Sequence, residues 1–308
     1  MQLVVDKINK SFGKNHVLRD LSFTAETGAA FGLLGRNGSG KTTTIRIIMD
    51  LFGADSGTVK IDGQPNSGFT SRIGYLPEER GLYPKRIIQD QMVYIGELRG
   101  MKTADAKRRA ALLLEKFGIG EYLHRKLDTL SKGNQQKIQL AIAMISDPDI
   151  IILDEPFSGL DPVNAKLLKD AVSESVKSGK LVIFSSHQMG YVEEFCDHIG
   201  ILNDGKIVLS GSLRQIKKSY PRNRVMVRPE TDNVQDFARS LRENGAIAAM
   251  SNEISVAGHD CILRLKDTVG KKDLFQLVSQ YPIDLFSVLE PTLEEIFVEK
   301  VGALDVTV

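Results

Sequence analysis

No stretch of this 308-residue sequence approaches the ~18–20 consecutive apolar residues needed to span a bilayer. The first residues also lack the basic and apolar regions of a signal peptide. Both absences predict a chain of cytosolic character, with any membrane association supplied by a partner. An excess of charge is missing too. Forty Lys plus Arg nearly cancel 39 Asp plus Glu, which leaves no basic surface to coat nucleic acid. Cysteine is scarce. Cys196 and Cys261 show neither CxxC nor zinc spacing, and read as small buried hydrophobes in a reducing compartment. The length favours two domains, and 42% hydrophobic residues can build a substantial core.

What is present is concentrated in Gly35-Arg36-Asn37-Gly38-Ser39-Gly40-Lys41-Thr42-Thr43. The apolar run Ala29–Leu34 precedes it, and Thr44-Ile45-Arg46-Ile47-Ile48-Met49 follows. A buried strand, a glycine-rich turn and a helix form the context of a phosphate-binding loop, and G-x-x-x-x-G-K-T matches its spacing. Glycines let successive N–H groups point into one concavity, and the helix N-terminus adds partial positive charge. Lys41 is expected to reach the β- and γ-phosphates, and the Thr42 hydroxyl to complete a Mg²⁺ shell. In this reading Lys41 lies in a solvated loop, so that Lys41→Ala abolishes ATP binding or hydrolysis without unfolding the chain.

Along the chain, Gln2–Ile8 reads as a strand, Lys10-Ser11-Phe12-Gly13 as a turn and Val17–Ala25 as a second strand. Further strands are expected at Gly57–Gly63 and Arg72–Glu78. From about Ile87 to Phe117 the apolar pattern is helical, and its charges Lys102, Lys107, Arg108 and Arg109 read as a solvated helix face. Leu130-Ser131-Lys132-Gly133-Asn134-Gln135-Gln136 opens another helix. Ile150–Leu153 runs straight into Asp154-Glu155, a buried parallel strand whose carboxyl end carries charge. Coming after a phosphate loop, that acid pair suits a magnesium role better than a plain turn cap. Ser158-Gly159-Leu160-Asp161 forms a turn before a helix led by Pro162, and the strand Leu181–Ser186 ends at His187.

Taken together, these residues resemble the ATP-binding cassette (ABC) ATPases. GRNGSGKTT looks like the family's Walker A, IIILDEP like its Walker B with the catalytic glutamate, and LSKGNQQ like its signature. SGLD resembles the D-loop and SSHQ the switch histidine. The resemblance covers roughly residues 1–215 and implies an α/β cassette with a mixed sheet core, antiparallel strands and a helical subdomain at about 85–145. It implies ATP and Mg²⁺, bound by Walker A with Phe12 stacked on adenine. In the same scheme Asp154 holds the metal chiefly through water, Glu155 polarises the attacking water, and His187 stabilises the γ-phosphate. Ser131, Gly133 and Asn134 would close the nucleotide site of a second subunit, with Asp161 signalling across the interface. The alternative reading of Phe12 is an ordinary core aromatic. Three positions depart from the usual pattern: Glu78 stands where the family has glutamine, and Lys132 and Asn134 replace a glycine and a glutamine. Glu78 is either a third acid near the metal or a side chain turned to solvent.

Composition shifts near Lys217–Asn223, dividing the chain into a cassette (1–220) and an accessory domain (221–308). Strand Ile207–Ser210 and helix Ser212–Tyr220 close the cassette. Beyond Pro221 we expect strand Arg224–Val227, helix Val234–Arg242, strands Ala246–Ser251 and Cys261–Leu265, helix Lys271–Gln280 and strand Asp284–Leu289. This β-α-β-β-α-β order is ferredoxin-like. Thr292-Leu293-Glu294-Glu295 has capping-box spacing for a last helix. The tail EPTLEEIFVEKV is similar to that of ATPase subunits of ABC-2-type exporters, including sodium-extrusion and drug exporters. The reading is therefore a bacterial exporter ATPase, a homodimer at the inner face of the membrane that drives a separate integral-membrane permease. An importer ATPase with a regulatory domain, or an ABC ATPase of translation or repair, are the alternatives. The absence of a long heptad run counts against repair proteins with coiled-coil insertions.

Overall fold

A computed structural model describes residues 1–78, 81–158, 160–266 and 268–302. It divides into two units: Met1–Leu213 together with the chain from Phe297, and Arg214–Ile296. The first unit is thus discontinuous in sequence, unlike the single cut near residue 220 expected from composition.

The first unit opens with a long hairpin, β1 (Gln2–Phe12) and β2 (Asn15–Glu26). The turn expected at Lys10–Gly13 falls later, because Lys10, Ser11 and Phe12 still pair with Leu18, His16 and Asn15. After β3 (Ala30–Leu34) and α1 (Lys41–Ile48) come β4 (Ser56–Ile61) and β5 (Gln64–Pro65), which complete a four-stranded antiparallel sheet in the order β2-β1-β4-β5. Next follow β6 (Ile73–Leu76) and the helices α2 (Ile88–Leu98), α3 (Thr103–Lys116) and α4 (Lys132–Ala143). These occupy the stretch expected as a helical subdomain.

β7 (Ile150–Asp154), α5 (Pro162–Lys177), β8 (Leu181–Ser186), α6 (Met189–Phe195), β9 (His198–Asn203) and β10 (Lys206–Ser212) complete the cassette core. Its sheet has the order β10-β9-β3-β8-β7-β6. All neighbours in it are parallel except the edge strand β10. Strands β3, β7 and β8 are buried at every position, the continuous apolar reading of a sheet covered on both faces. Leu3, Val5, Leu18 and Leu21 of the antiparallel sheet share one core with Phe31, Leu33, Ile45 and Ile48. Each such side chain contributes about 1.5–3 kcal/mol by leaving water. The register sets Leu34 beside Ser186 and Asp154 beside Ser185, so three strand ends meet at one edge. That edge is where open α/β sheets bind ligands.

Helix α7 (Leu213–Ser219) leads into the second unit. There β11 (Arg224–Pro229), α8 (Val234–Glu243), α9 (Gly245–Met250), β12 (Ser251–Ala257), β13 (Asp260–Leu265), α10 (Lys271–Val278) and β14 (Ile283–Leu289) follow, before α11 (Leu293–Val301). The sheet order β12-β13-β11-β14, antiparallel throughout, is ferredoxin-like. One element differs from expectation: Ala246–Ser251 is not a strand. The Asn244 side chain accepts the N–H groups of Ala246 and Ile247 at 3.1 and 3.2 Å, which starts a short helix of good helix formers. The strand begins only at Ser251. Val225, Val227, Phe237, Leu241, Leu263 and Leu274 build this unit's own core.

Candidate active site

The loop between β3 and α1 is shaped by its glycines. Gly38 and Gly40 hold φ of 79° and 110°, conformations that side chains resist. At Gly35, a Cβ would meet Ser39 Oγ at 2.4 Å and the Leu202 carbonyl at 2.6 Å. Gly40 caps α1 without a side-chain acceptor, so the first N–H groups of the helix have no side-chain cap. Around this loop lies a cavity of about 450 Å³, lined by Arg36, Asn37, Lys41, Thr42, Glu78 and Glu155 among others. Ser39 Oγ is buried beside it and makes no hydrogen bond among the described residues.

Lys41 is not in a solvated loop, as expected from the sequence. It is 6% exposed, and its ammonium donates to the carbonyls of Gly35 (2.9 Å) and Arg36 (3.3 Å). Nζ also stands 3.3 Å from Glu155 Oε1. That contact is an ion pair without hydrogen-bond geometry, since Oε1 has no hydrogen-bond partner among the described residues.

The two acids at the end of β7 are held differently. Asp154, 1% exposed, accepts the Ser185 hydroxyl at Oδ1 and the Tyr75 hydroxyl at Oδ2 (3.4 Å). Burial, followed by the charge of Asp154, pushes the Tyr75 phenol well above its ordinary pKa, so it stays a donor. Glu155 adopts left-handed backbone (φ 48°), a costly conformation for a side-chain-bearing residue. Its N–H is fixed by the Ser185 carbonyl and hydroxyl, both at 3.2 Å. The twist turns its carboxylate into the cavity. Oε2 lies 2.9 Å from His187 Nδ1 and accepts from the His187 N–H and the Ser186 hydroxyl, both at 3.4 Å. Oε2 is therefore saturated, whereas Oε1 stands beside Lys41 Nζ and accepts no hydrogen bond among the described residues.

The remaining predicted residues are not brought to this cavity within one chain. Phe12 is 49% exposed, packed edge-on against Phe52 at 5.7 Å, with Lys10 Nζ 5.5 Å from its ring. Ser131 caps α4, its hydroxyl accepting the Asn134 N–H at 3.4 Å. Asp161 caps α5 by accepting the Asn164 N–H at 2.9 Å, and that bond holds its carboxyl below the usual range. A Cβ on Gly133 would meet Asn164 Nδ2 at 2.6 Å, so the signature turn and the Asp161 turn adjoin. Gly159 lies outside the described residues.

Sequence reading missed Val17, Tyr75, Ser185 and Ser186. Val17 lines the cavity, and the other three position the acid pair. For the two serines a signal existed: hydroxyls closing an otherwise apolar strand beside His187.

Thr42 and Asp154 offer hard oxygen donors of the kind Mg²⁺ takes, and Glu78, exposed on the cavity wall, is a third. Among the described residues no three His, Cys, Asp or Glu side chains cluster tightly enough to hold a metal by themselves. The donor set fits an ion that takes its other ligands from phosphate and water.

A phosphate loop after β3, with a buried acid pair at the end of β7 and a histidine just after β8, defines a P-loop ATPase. The ABC transporter profile matches residues 18–158, and a profile described as ATP-binding protein DrrA1-3-like, C-terminal domain, matches 211–301. Over 308 residues, 98% of this chain and 99% of the relative, the sequence is 40% identical to an uncharacterized ABC transporter ATP-binding protein, YhaQ, of Bacillus subtilis (strain 168). The linearmycin resistance ATP-binding protein LnrL of the same organism is 29% identical over 97% of this chain and 98% of its own length. The Nod factor export ATP-binding protein I of Paraburkholderia xenovorans (strain LB400) is 31% identical over 67% and 69%. A solved ATP-binding subunit of an ABC transporter superposes with a TM-score of 0.66 at 29% identity, covering 71% of this chain and 93% of that one. The chain belongs to the ABC transporter ATP-binding proteins, and it is an ATP-binding ATPase subunit.

Proposed function

We propose that the chain powers export through a separate integral-membrane permease, working as a homodimer at the inner face of the membrane. Export is supported by the resistance and Nod factor export relatives and by the DrrA-like match of residues 211–301. No helix among the described residues is long and apolar enough to cross a membrane, which agrees with a transport path supplied by a partner. Pairing of two copies is supported by the separation of Ser131, Gly133 and Asn134 from the cavity wall. These groups complete the site of a second copy.

The observation that carries the hydrolytic reading is Oε1 of Glu155, buried in the cavity wall beside Lys41 Nζ and accepting no hydrogen bond among the described residues, while Oε2 is saturated. Lys41 and the loop N–H groups bind the phosphates, and Phe12 stacks on adenine. Glu155 Oε1 accepts a proton from water as the water oxygen attacks the γ-phosphorus, and the bond to the β-phosphate oxygen breaks to release ADP. His187, oriented by Oε2, steadies the charge on the transferred group. Thr42 and Asp154, with Glu78 beside them, would hold Mg²⁺, which supplies neutralising charge at the phosphates.

Glu155→Gln tests this reading. The amide keeps the shape but cannot take the proton, so ATP binds and persists between two chains. Light scattering should report a dimer with ATP-Mg²⁺ and a monomer without it. A variant that hydrolyses ATP at the wild-type rate would refute Glu155 as the base.

A further inference from the structure

The turn that carries Glu155 continues through Pro156 to Phe157, and Phe157 is 2% exposed. Its ring packs against two others, whose own centroids are 6.1 Å apart. Tyr191 stacks on it with centroids 4.5 Å apart and planes at 11°, and Phe195 with 4.6 Å and 13°. Phe184 of β8 closes the group edge-on, 5.8 Å away at 74°. Tyr191 and Phe195 both belong to α6, which starts two residues after His187. Lys169 of α5 stands 5.1 Å from the Phe195 ring and pairs with Glu194, anchoring the same helix from outside.

The two groups that must cooperate in hydrolysis, Glu155 and His187, are therefore tied together twice. One link is direct, through Oε2. The second is the ring stack, which joins the residue two after Glu155 to a residue four after His187. Offset aromatic pairs are worth about 0.5–1.5 kcal/mol each beyond their buried area and resist sliding. His187 itself is 42% exposed, so packing around its own ring cannot fix it.

We propose that Phe157, stacked against the Tyr191 and Phe195 rings, is a positioning residue for ATP hydrolysis that holds the His187 loop in register with Glu155. The inference rests on the roles given above to Glu155 and His187. It assigns to the ring stack a share of kcat and none of nucleotide binding, because no member of the stack lines the phosphate cavity.

Tyr191 is the place to test it, being only partly buried. Tyr191→Phe keeps the ring, whereas Tyr191→Met keeps apolar bulk without a ring plane. In the full chain, Tyr191→Phe should restore the wild-type rate. Tyr191→Met should lower kcat by about tenfold with KM for ATP within about twofold, since misplacing a reacting group costs rate and not binding. In a His187→Ala background the same Tyr191→Met change should lower kcat no further. If Tyr191→Met leaves kcat intact, or lowers it equally in both backgrounds, the positioning role is overturned. If Tyr191→Met unfolds, Tyr191→Leu in the two backgrounds decides by the same comparison. Wild-type activity of His187→Ala itself would overturn the assigned role of His187, and this inference with it.

Discussion

Lys41 and Glu155 form a buried ion pair, Nζ to Oε1 at 3.3 Å, with side chains 7% and 4% exposed. The lysine we propose binds phosphate and the carboxylate we propose activates water thus touch at the cavity wall. Removing one leaves the other charged and uncompensated, which costs about 3–5 kcal/mol for a buried pair. Lys41→Ala should therefore abolish ATP binding and also lower the melting temperature. Adding Glu155→Gln to it should recover much of that stability and none of the activity. Equal melting temperatures for wild type and Lys41→Ala would show that the pair is not a structural element.

Glu78 shares the cavity wall with Glu155 and Thr42, yet it is exposed. A carboxylate is a stronger hard-cation ligand than an amide, opposed here by the charges of Asp154 and Glu155. Glu78→Gln should raise the Mg²⁺ concentration for half-maximal ATPase activity and leave metal-free ATP binding largely unchanged. Superimposable Mg²⁺ titrations would assign Glu78 to another task.

Phe297 belongs to the first unit although it follows the last strand of the ferredoxin-like sheet by only eight residues, and it is 2% exposed. Phe297→Ala should destabilise the cassette by about 3–5 kcal/mol, the cost of emptying a core aromatic site. A fragment of residues 1–220 should bind nucleotide but melt below the full chain. Identical melting curves for fragment and cassette transition would remove Phe297 from that core.

Both thiols are protected. Burial pushes Cys196 well above its ordinary value and Cys261 to about 11. At pH 8 roughly one Cys261 thiol in a thousand is ionised, and the thiolate is the reactive form. Iodoacetamide should label neither cysteine in the native protein and both after denaturation. Labelling of native Cys261 at pH 8 would contradict its burial.

The phosphate loop, the acid pair and the β8–His187 turn were legible because each is a local pattern: a continuous apolar strand ending in a specialised residue. β9 escaped notice because Ile199-Gly200-Ile201-Leu202 is interrupted by glycine, and only its place beside β3 makes it a strand. Ala246–Met250 misled for a related reason. Five small or apolar residues carry no period, and the deciding signal was the capping residue Asn244 just before them. Burial of Lys41 was invisible because its partner, Glu155, arrives from a distant strand. Aromatic residues gave a similar lesson: Phe157, Tyr191 and Phe195 look unrelated until the register of β7 and β8 brings their elements together.

Arg36, inside the phosphate loop, donates to the carbonyl of Gly302 at 2.9 Å, just past the end of α11. During synthesis, the loop emerges from the ribosome long before that carbonyl exists. A nascent cassette can fold its sheets early, but it cannot make this bond until the ferredoxin-like segment and α11 have been translated. A message with a premature stop anywhere before residue 302 therefore yields a cassette whose phosphate loop lacks this bond. The nucleotide loop bonds directly to a residue of its own unit that is made only after the whole second unit has been translated.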